Sequence, residues 1–171
     1  APVAGTYDAT AWIHPNDRHL LADPFAGMSA DTTAMLGGKY EFVEPDRVEE
    51  LSDSQTLELA GLEFVVDHTP GHTEGSVTFR SPYQEQDVAE VMFSGDLLFQ
   101  GSIGRTDLPG GDHAKMLVSL REKVLTLPDN IVVLPGHGEQ TDIGRERRTN
   151  PFLLDLIDDE RAATRPPARG L

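Results

Sequence analysis

The chain has 171 residues, of which 38% are hydrophobic and 25% charged, with 14 Lys and Arg against 29 Asp and Glu. The net charge of −15 argues against nucleic acid or an anionic membrane surface as the main partner, because Lys and Arg must meet their phosphates. The length suits one domain, predicted over 1–164 and followed by a mobile tail over 165–171. No apolar run reaches the ~20 residues of a membrane span.

Periodicity along the chain predicts a mixed α/β (α+β) domain, with hairpins in its middle and alternating strands and helices in its second half. Residues 15–55 are weakly periodic and predict loops with one or two short helical turns. A helix capped by Asp112 carries apolar residues at steps of three and four and ends at Pro128. Strands are predicted over 11–13, 56–59, 62–66, 76–79, 91–93 and 131–134, and further helices over 143–149 and 152–163.

Three of these strands end in tight glycine turns that present metal-ligand side chains. The turns are Thr-Pro-Gly-His72, Ser-Gly-Asp96 and Pro-Gly-His137. The chain has no cysteine, so a metal must be held by His, Asp or Glu, and neutral imidazole and carboxylate suit Zn, Fe and Mn. One such turn alone indicates an ordinary surface loop. For the three turns together, a metal site and three ordinary turns are equally supported interpretations.

Four sequence blocks resemble the metallo-β-lactamase superfamily and, within it, the glyoxalase II-like (hydroxyacylglutathione hydrolase-like) hydrolases. The resemblance covers roughly 11–154 and implies an αββα sandwich with metals at one edge of its two sheets. It implies that His72 completes one metal site, that Asp96 bridges two metals, and that His137 completes the second site. Two zinc ions are expected, with iron or manganese as alternatives. The blocks are His68-Thr-Pro-Gly-His72-Thr, Phe-Ser-Gly-Asp96, Gly-Ser-Ile-Gly-Arg105-Thr-Asp107 and Leu-Pro-Gly-His137-Gly.

The same resemblance implies an activity. A cytoplasmic member of this branch would cleave a small-molecule thioester of the acyl-glutathione kind with a metal-bound hydroxide. The family's leading motif, Thr-His-x-His-x-Asp-His, supplies the other four ligands and has no counterpart in the chain. We therefore expect an N-terminally incomplete domain that binds metal weakly or singly and turns over poorly. An uncovered sheet edge would also favour self-association.

Residues beside the ligand turns each have two interpretations. Arg105 with Asp107 either orients an anionic part of the substrate or forms an ion pair that pins its own loop, and the second is favoured. His68 is predicted to support the site rather than bind metal, because a Pro-Gly pair prevents a helix between it and the ligand histidine. Thr69 and Thr73 flank the ligand loop, and their hydroxyls are predicted to hold it.

Other functions stay open. A persulfide dioxygenase-like enzyme would use one iron held by two histidines and a carboxylate, and iron content with oxygen uptake would identify it. A catalytically inactive binding module with this fold is the non-enzymatic alternative. A nuclease is disfavoured by the net charge of −15 and the lack of a basic stripe. A β-lactamase is disfavoured because no segment resembles an export signal.

Overall fold

The computed structural model describes residues 2–37, 42–83 and 87–164, and the predicted mobile tail lies outside these ranges. The α-helices are α1 (Pro2–Tyr7), α2 (Ala30–Leu36), α3 (His113–Lys123), α4 (Ile143–Thr149) and α5 (Pro151–Thr164), and two 3₁₀ helices span Pro15–Leu21 and Pro24–Gly27. The strands are β1 (Ala11–Ile13), β2 (Val48–Glu50), β3 (Thr56–Leu59), β4 (Leu62–His68), β5 (Val77–Pro82), β6 (Glu90–Gly95), β7 (Leu98–Phe99), β8 (Ser102–Ile103), β9 (Ile131–Pro135) and β10 (Thr141–Asp142).

A six-stranded sheet in the order β10-β9-β6-β5-β4-β3 forms the centre of the fold. β6 and β9 are parallel, and the other neighbouring pairs are antiparallel. Parallel strands need a crossover connection, and α3 supplies it between β6 and β9. β1 pairs with β2, and β7 with β8, as small separate sheets. The parallel pair matters for function because both of its strands end at the same edge of the sheet.

Three helices cover one face of this sheet, which we call the helix face. The Asp112 carboxylate accepts a hydrogen bond from Lys115 N–H and caps α3, while Asp142 caps α4 in the same way through Arg145 N–H. The apolar side of α3 and α5 then packs on inward-pointing strand residues. The core residues of this face, each at most 2% exposed, include Met92, Ile131 and Val133 of the strands and Met116, Leu120, Val124, Ile143, Leu153 and Leu156 of the helical segments.

The opposite face, which we call the open face, is covered only in part. Strand alternation directs Val66 and Phe79 to this side, and Trp12 of β1 packs against the small cluster that they form with Leu51 and Leu57. Farther along the sheet no helix of the described ranges covers this face, and Phe93 is 43% exposed. A patch of aromatic and aliphatic side chains is therefore open to solvent.

The mixed α/β fold class predicted from the sequence is confirmed, and the predicted hairpin, crossover helix and C-terminal helices are all present. The N-terminal part is more regular than predicted, since residues 15–55 contain two 3₁₀ helices, α2 and β2. The β7–β8 hairpin was not predicted, because its two-residue strands are too short to show a period. Among the described helices, none has the length and apolar character needed to cross a bilayer.

Candidate metal centre

The loop that carries His72 is fixed at both ends. Thr69 N–H donates to the Ser76 carbonyl at 2.8 Å, which closes the loop directly after β4. The Thr73 hydroxyl donates to Asp17 Oδ2 at 2.5 Å, and Gly75 N–H donates to Asp17 Oδ1 at 2.7 Å. The first 3₁₀ helix, which carries Asp17, thus holds the loop from the N-terminal side. Both predicted loop threonines make hydrogen bonds within or onto this loop.

The same loop rests directly on α3. Gly71 has a φ of +151°, and a Cβ placed there would lie 2.5 Å from the Met116 Cα. Only glycine permits this approach of loop and helix. The Ser119 hydroxyl donates to the Pro70 carbonyl at 2.8 Å and adds a second point of attachment. The position of His72 is therefore coupled to the core of the helix face.

The parallel pair β6 and β9 delivers Asp96 and His137 to one edge of the sheet. Gly136 N–H donates to the Gly95 carbonyl at 2.9 Å and joins the two strand ends. A Cβ at Gly136 would lie 2.5 Å from Asp96 Oδ1, so the turn packs against the carboxylate itself. The Pro-Gly-His turn therefore brings its histidine beside the aspartate.

The three predicted ligands meet at one carboxylate oxygen. Asp96 Oδ2 lies 3.6 Å from His72 Nε2 and 3.7 Å from His137 Nε2. Two ligands of one tetrahedral zinc, with bonds of about 2.0–2.1 Å, are roughly 3.3 Å apart, so each pair is slightly wider than a loaded site. Within the described ranges, no group of three or more His, Asp or Glu side chains is close enough to form a complete metal cage. The geometry is thus two ligand pairs that share Asp96.

A backbone carbonyl orients the His72 ring. His72 Nδ1 lies 2.9 Å from the Arg105 carbonyl oxygen. A carbonyl only accepts, so Nδ1 carries the proton and Nε2 keeps its lone pair on the side of Asp96. This is the support that metal-binding histidines generally have in proteins.

The side chain of Arg105 forms an ion pair with Asp107. Arg105 Nε and Nη2 each donate to one Asp107 oxygen at 2.8 Å. These hydrogen bonds lower the pKa of the Asp107 carboxyl to about 2 and raise the pKa of the Arg105 guanidinium. Both side chains are more than half exposed. The pair closes a ring of three residues, 105–107, and pins the loop whose carbonyl orients His72.

His68 contacts the ligand loop from the other side. Its Nε2 lies 2.9 Å from the Glu74 carbonyl oxygen, and its ring stacks on His14 with centroids 3.9 Å apart. His68 N–H also donates to Asp53 Oδ1 at 2.8 Å. These contacts support the loop.

A cleft of about 380 Å³ opens above the ligand pairs. Sequence analysis did not identify Phe99, whose ring stacks on His137 with centroids 4.5 Å apart and planes at 29°. Ser102 and Ile103 of the same hairpin were also missed. The signal available was position alone, since this hairpin lies between the Asp96 and Arg105 motifs. The cleft is lined by His72, Asp96, Phe99, Ser102, Ile103, Arg105 and His137.

Comparison with known proteins identifies a family. The model of the metallo-beta-lactamase superfamily matches residues 1–137. An uncharacterised protein of Mycobacterium tuberculosis is 45% identical over 155 residues, which are 90% of this chain and 69% of that protein. Hydroxyacylglutathione hydrolase GloC of Haemophilus influenzae is 48% identical over 101 residues, which are 59% of this chain and 45% of GloC.

Solved structures agree with this match. The B3 metallo-beta-lactamase BLEG-1 superposes with a TM-score of 0.71 at 40% identity, over 89% of this chain and 68% of that one. The protein TTHA1623 in a di-iron-bound form gives a TM-score of 0.68 at 40% identity, over 89% and 69% of the two chains. Because one neighbour holds iron, the fold implies a divalent metal without singling out zinc.

Proposed function

The chain belongs to the metallo-β-lactamase superfamily of metallo-hydrolases, and from this premise we propose that it cleaves a small-molecule thioester of the acyl-glutathione kind. The observation that carries the proposal is the placement of Asp96 Oδ2 between His72 Nε2 and His137 Nε2, at 3.6 and 3.7 Å. The similarity to GloC, a hydroxyacylglutathione hydrolase by name, supports the thioester as the substrate class. We place the activity in the cytoplasm, where low-molecular-weight thiols are kept reduced.

The donor set fits a divalent cation. Two imidazoles and one carboxylate suit zinc, which we propose as the metal, and also iron or manganese. When bound, such an ion supplies an activated water and polarises the substrate carbonyl. His72, Asp96 and His137 would hold it, and the Arg105 carbonyl fixes the tautomer of His72 that leaves Nε2 free to bind.

The cleft has the dimensions and the lining that a small substrate needs. Its volume of about 380 Å³ lies within the range of roughly 300–1,000 Å³ that is typical of ligand pockets. Phe99 and Ile103 give it an apolar wall that suits the acyl group, while Ser102 and Arg105 give it a polar one. In this cleft the thioester carbonyl would lie beside Asp96 and the thiol carrier toward Arg105.

Metal content and thioester hydrolysis test the proposal. We expect the chain to bind Zn²⁺ or Co²⁺ weakly and to hydrolyse S-lactoylglutathione slowly, because His72, Asp96 and His137 provide two ligand pairs and no complete cage among the described residues. A change outside the ligand set typically lowers metal affinity about 10–100-fold. Asp96→Asn should lower it by more, since both ligand pairs use this carboxylate.

Asp158→Asn is the matched control, because Asp158 lies on α5 with its side chain 75% exposed and paired with Arg161, so the change should leave metal affinity and hydrolysis unchanged. Metal binding and hydrolysis that survive Asp96→Asn would refute the proposed centre. If metal binding requires Asp96 but the chain hydrolyses no thioester, the proposed metal centre stands and the proposed substrate class is wrong.

An iron-dependent persulfide dioxygenase is a second candidate. The donor set of two histidines and one carboxylate is that of many non-haem iron sites, and TTHA1623 is iron-bound. Iron content together with oxygen uptake on glutathione persulfide would favour this reaction. Hydrolysis of the thioester without oxygen uptake would exclude it.

A further inference from the structure

A buried carboxylate in α4 connects the two segments that form the His137 side of the cleft. Glu146 is 0% exposed. Its Oε1 accepts a hydrogen bond from the Thr141 hydroxyl at 2.6 Å, and its Oε2 accepts from Gly101 N–H at 2.8 Å and from Asn150 Nδ2 at 2.9 Å. Both oxygens of Glu146 thus act as acceptors, for a hydroxyl, a backbone N–H and a side-chain amide.

The Glu146 side chain is held by hydrogen bonds alone. None of the ion pairs in the described ranges includes it. A buried polar group costs free energy unless it is hydrogen-bonded, and these three bonds offset that cost. Glu146 is therefore held by the same three bonds through which it holds its neighbours.

The first of these neighbours is the β7–β8 hairpin. Gly101 lies at its tip and donates to Glu146, while Asn150 Nδ2, which also donates to Glu146, donates to the Ser102 carbonyl at 3.0 Å. The hairpin is thus fixed to α4 and to the residue that follows it. Phe99, on the adjacent strand of the hairpin, carries the ring that stacks on His137.

The second neighbour is the segment that carries His137. This histidine lies in the loop 136–140 between β9 and β10, and Thr141 closes the loop by pairing with Val133. The Thr141 hydroxyl donates to Glu146. The His137 side chain is 74% exposed, so its stack on Phe99 is the contact that restrains its ring. Glu146 therefore joins both partners of that stack.

We propose that Glu146 is a positioning residue of the metal centre, which holds the β7–β8 hairpin against loop 136–140 so that Phe99 keeps the His137 ring facing Asp96. The role in metal binding rests on the proposed function, whereas the positioning itself does not require a metal. The effect is one-sided, because His72 is oriented by the Arg105 carbonyl and its loop by Asp17. Loss of Glu146 should disturb His137 and spare His72.

The test uses Glu146→Met in the full chain. The methionine side chain has nearly the size of glutamate but no oxygen, so it removes both acceptors of the network. In the metal-free protein, long-range ¹H–¹⁵N spectra should show the His137 ring resonances shifted, as the Phe99 ring current changes, with those of His72 unmoved. Co²⁺ affinity should fall about tenfold, as expected for a group outside the ligand set.

A milder variant and a control accompany it. Thr141→Val removes one donor at nearly constant shape and should shift His137 in the same direction by less, and it carries the test if Glu146→Met does not fold. Glu146→Gln can keep the network, because its oxygen accepts from Gly101 N–H and Asn150 Nδ2 and its N–H₂ group donates to the Thr141 hydroxyl, so it should leave His137 close to wild type. Leu156→Ala lowers stability from the buried side of α5 without touching the network, and should move neither histidine.

The inference is overturned if Glu146→Met and Thr141→Val both leave His137 unmoved, if they shift His72 equally, or if Leu156→Ala reproduces their effect. Should the wild-type chain bind no Co²⁺, the proposed function fails, while the spectra of the metal-free protein still decide the positioning role.

Discussion

The two faces of the six-stranded sheet have similar apolar strands but differ in what covers them. On the helix face, α3 and α5 bury Met92 and Val133 completely, whereas on the open face Phe93 of the same strand as Met92 is 43% exposed. The alternation of a strand therefore determines only which side chains point to each face. Their burial depends on whether a second layer is present.

The candidate metal centre is supported mainly from the helix face. The His72 loop rests on Met116 of α3, and the hairpin beside His137 is tied to Glu146 of α4. The open face contributes Asp17, which holds the ligand loop from the opposite side. This division predicts that changes in the helix face reach the site, whereas changes on the bare part of the open face do not.

The largest expected effect is a difference in stability between the two faces. Leu120→Ala, at a fully buried position of α3, should lower the free energy of unfolding by about 2–5 kcal/mol. Phe93→Ala should cost under about 1 kcal/mol, because nearly half of that ring is already in water. Urea unfolding of both variants measures the difference, and equal losses would mean that the open face is covered in solution.

The exposed apolar patch on the open face should be an interface in solution. We expect a second copy of the chain to pack there, since the patch is uncharged in a protein of net charge −15 and its grooves are lined almost entirely by apolar side chains. Light scattering across a concentration series should then give a mass above that of the monomer. Phe93→Glu should weaken the association at least about tenfold, because it brings like charges together.

Val118→Glu is the matched control for self-association. Val118 is 45% exposed on α3, on the other side of the molecule, so its change should leave the mass unaltered. A wild-type monomer at every concentration would contradict the expected association, and equal effects of the two variants would assign it to charge alone.

The sequence predicts the strand ends of the candidate site better than the contacts that support them. Asp96 and His137 could be proposed as neighbouring ligands because each follows an apolar strand in a glycine turn, and the pairing of the two strands brings the turns together. Asp17 could not be found, because it reaches Thr73 across 56 positions from a segment without a period. In the sequence, Glu146 cannot be distinguished from an exposed glutamate of a helix, and only the packing of α4 buries it. Local patterns predict strand ends, whereas tertiary contacts determine what holds them.

A smaller expected effect is a dependence of the folding stability on pH that arises beside the open face. Burial, followed by the charge of the stacked His68, lowers the pKa of His14 below 6.5, so the neutral form is favoured in the folded state. The unfolded chain then binds more protons, and the stability that neutral His14 contributes is present above pH 6.5 and is lost as pH falls below it.

Unfolding midpoints of the wild type and of His14→Gln between about pH 7.5 and 5.5 measure this contribution. The variant should be less dependent on pH over that window, because it lacks the imidazole whose protonation the folded state disfavours. An unchanged slope in His14→Gln would show that the layer carrying β1 does not respond to protonation of this stack.

The smallest expected effect concerns the loop that belongs to neither face. Asp107→Asn removes the ion pair with Arg105, whose two side chains are largely exposed, so salt and water already screen most of its energy. The lowered pKa of Asp107, about 2, means that any contribution is present above pH 3.8 and disappears as pH falls through 2. At neutral pH the unfolding midpoint should therefore stay within error of the wild type.

The His72 ring should nevertheless report the change, because the Arg105 carbonyl that accepts from its Nδ1 lies in the loop that the ion pair pins. In the metal-free protein, Asp107→Asn should shift the His72 resonances and spare those of His137, the reverse of Glu146→Met. A large loss of stability would instead place this loop within the core of the helix face. The opposite responses of the two histidines would show that the ligands are oriented by separate supports that meet only at Asp96.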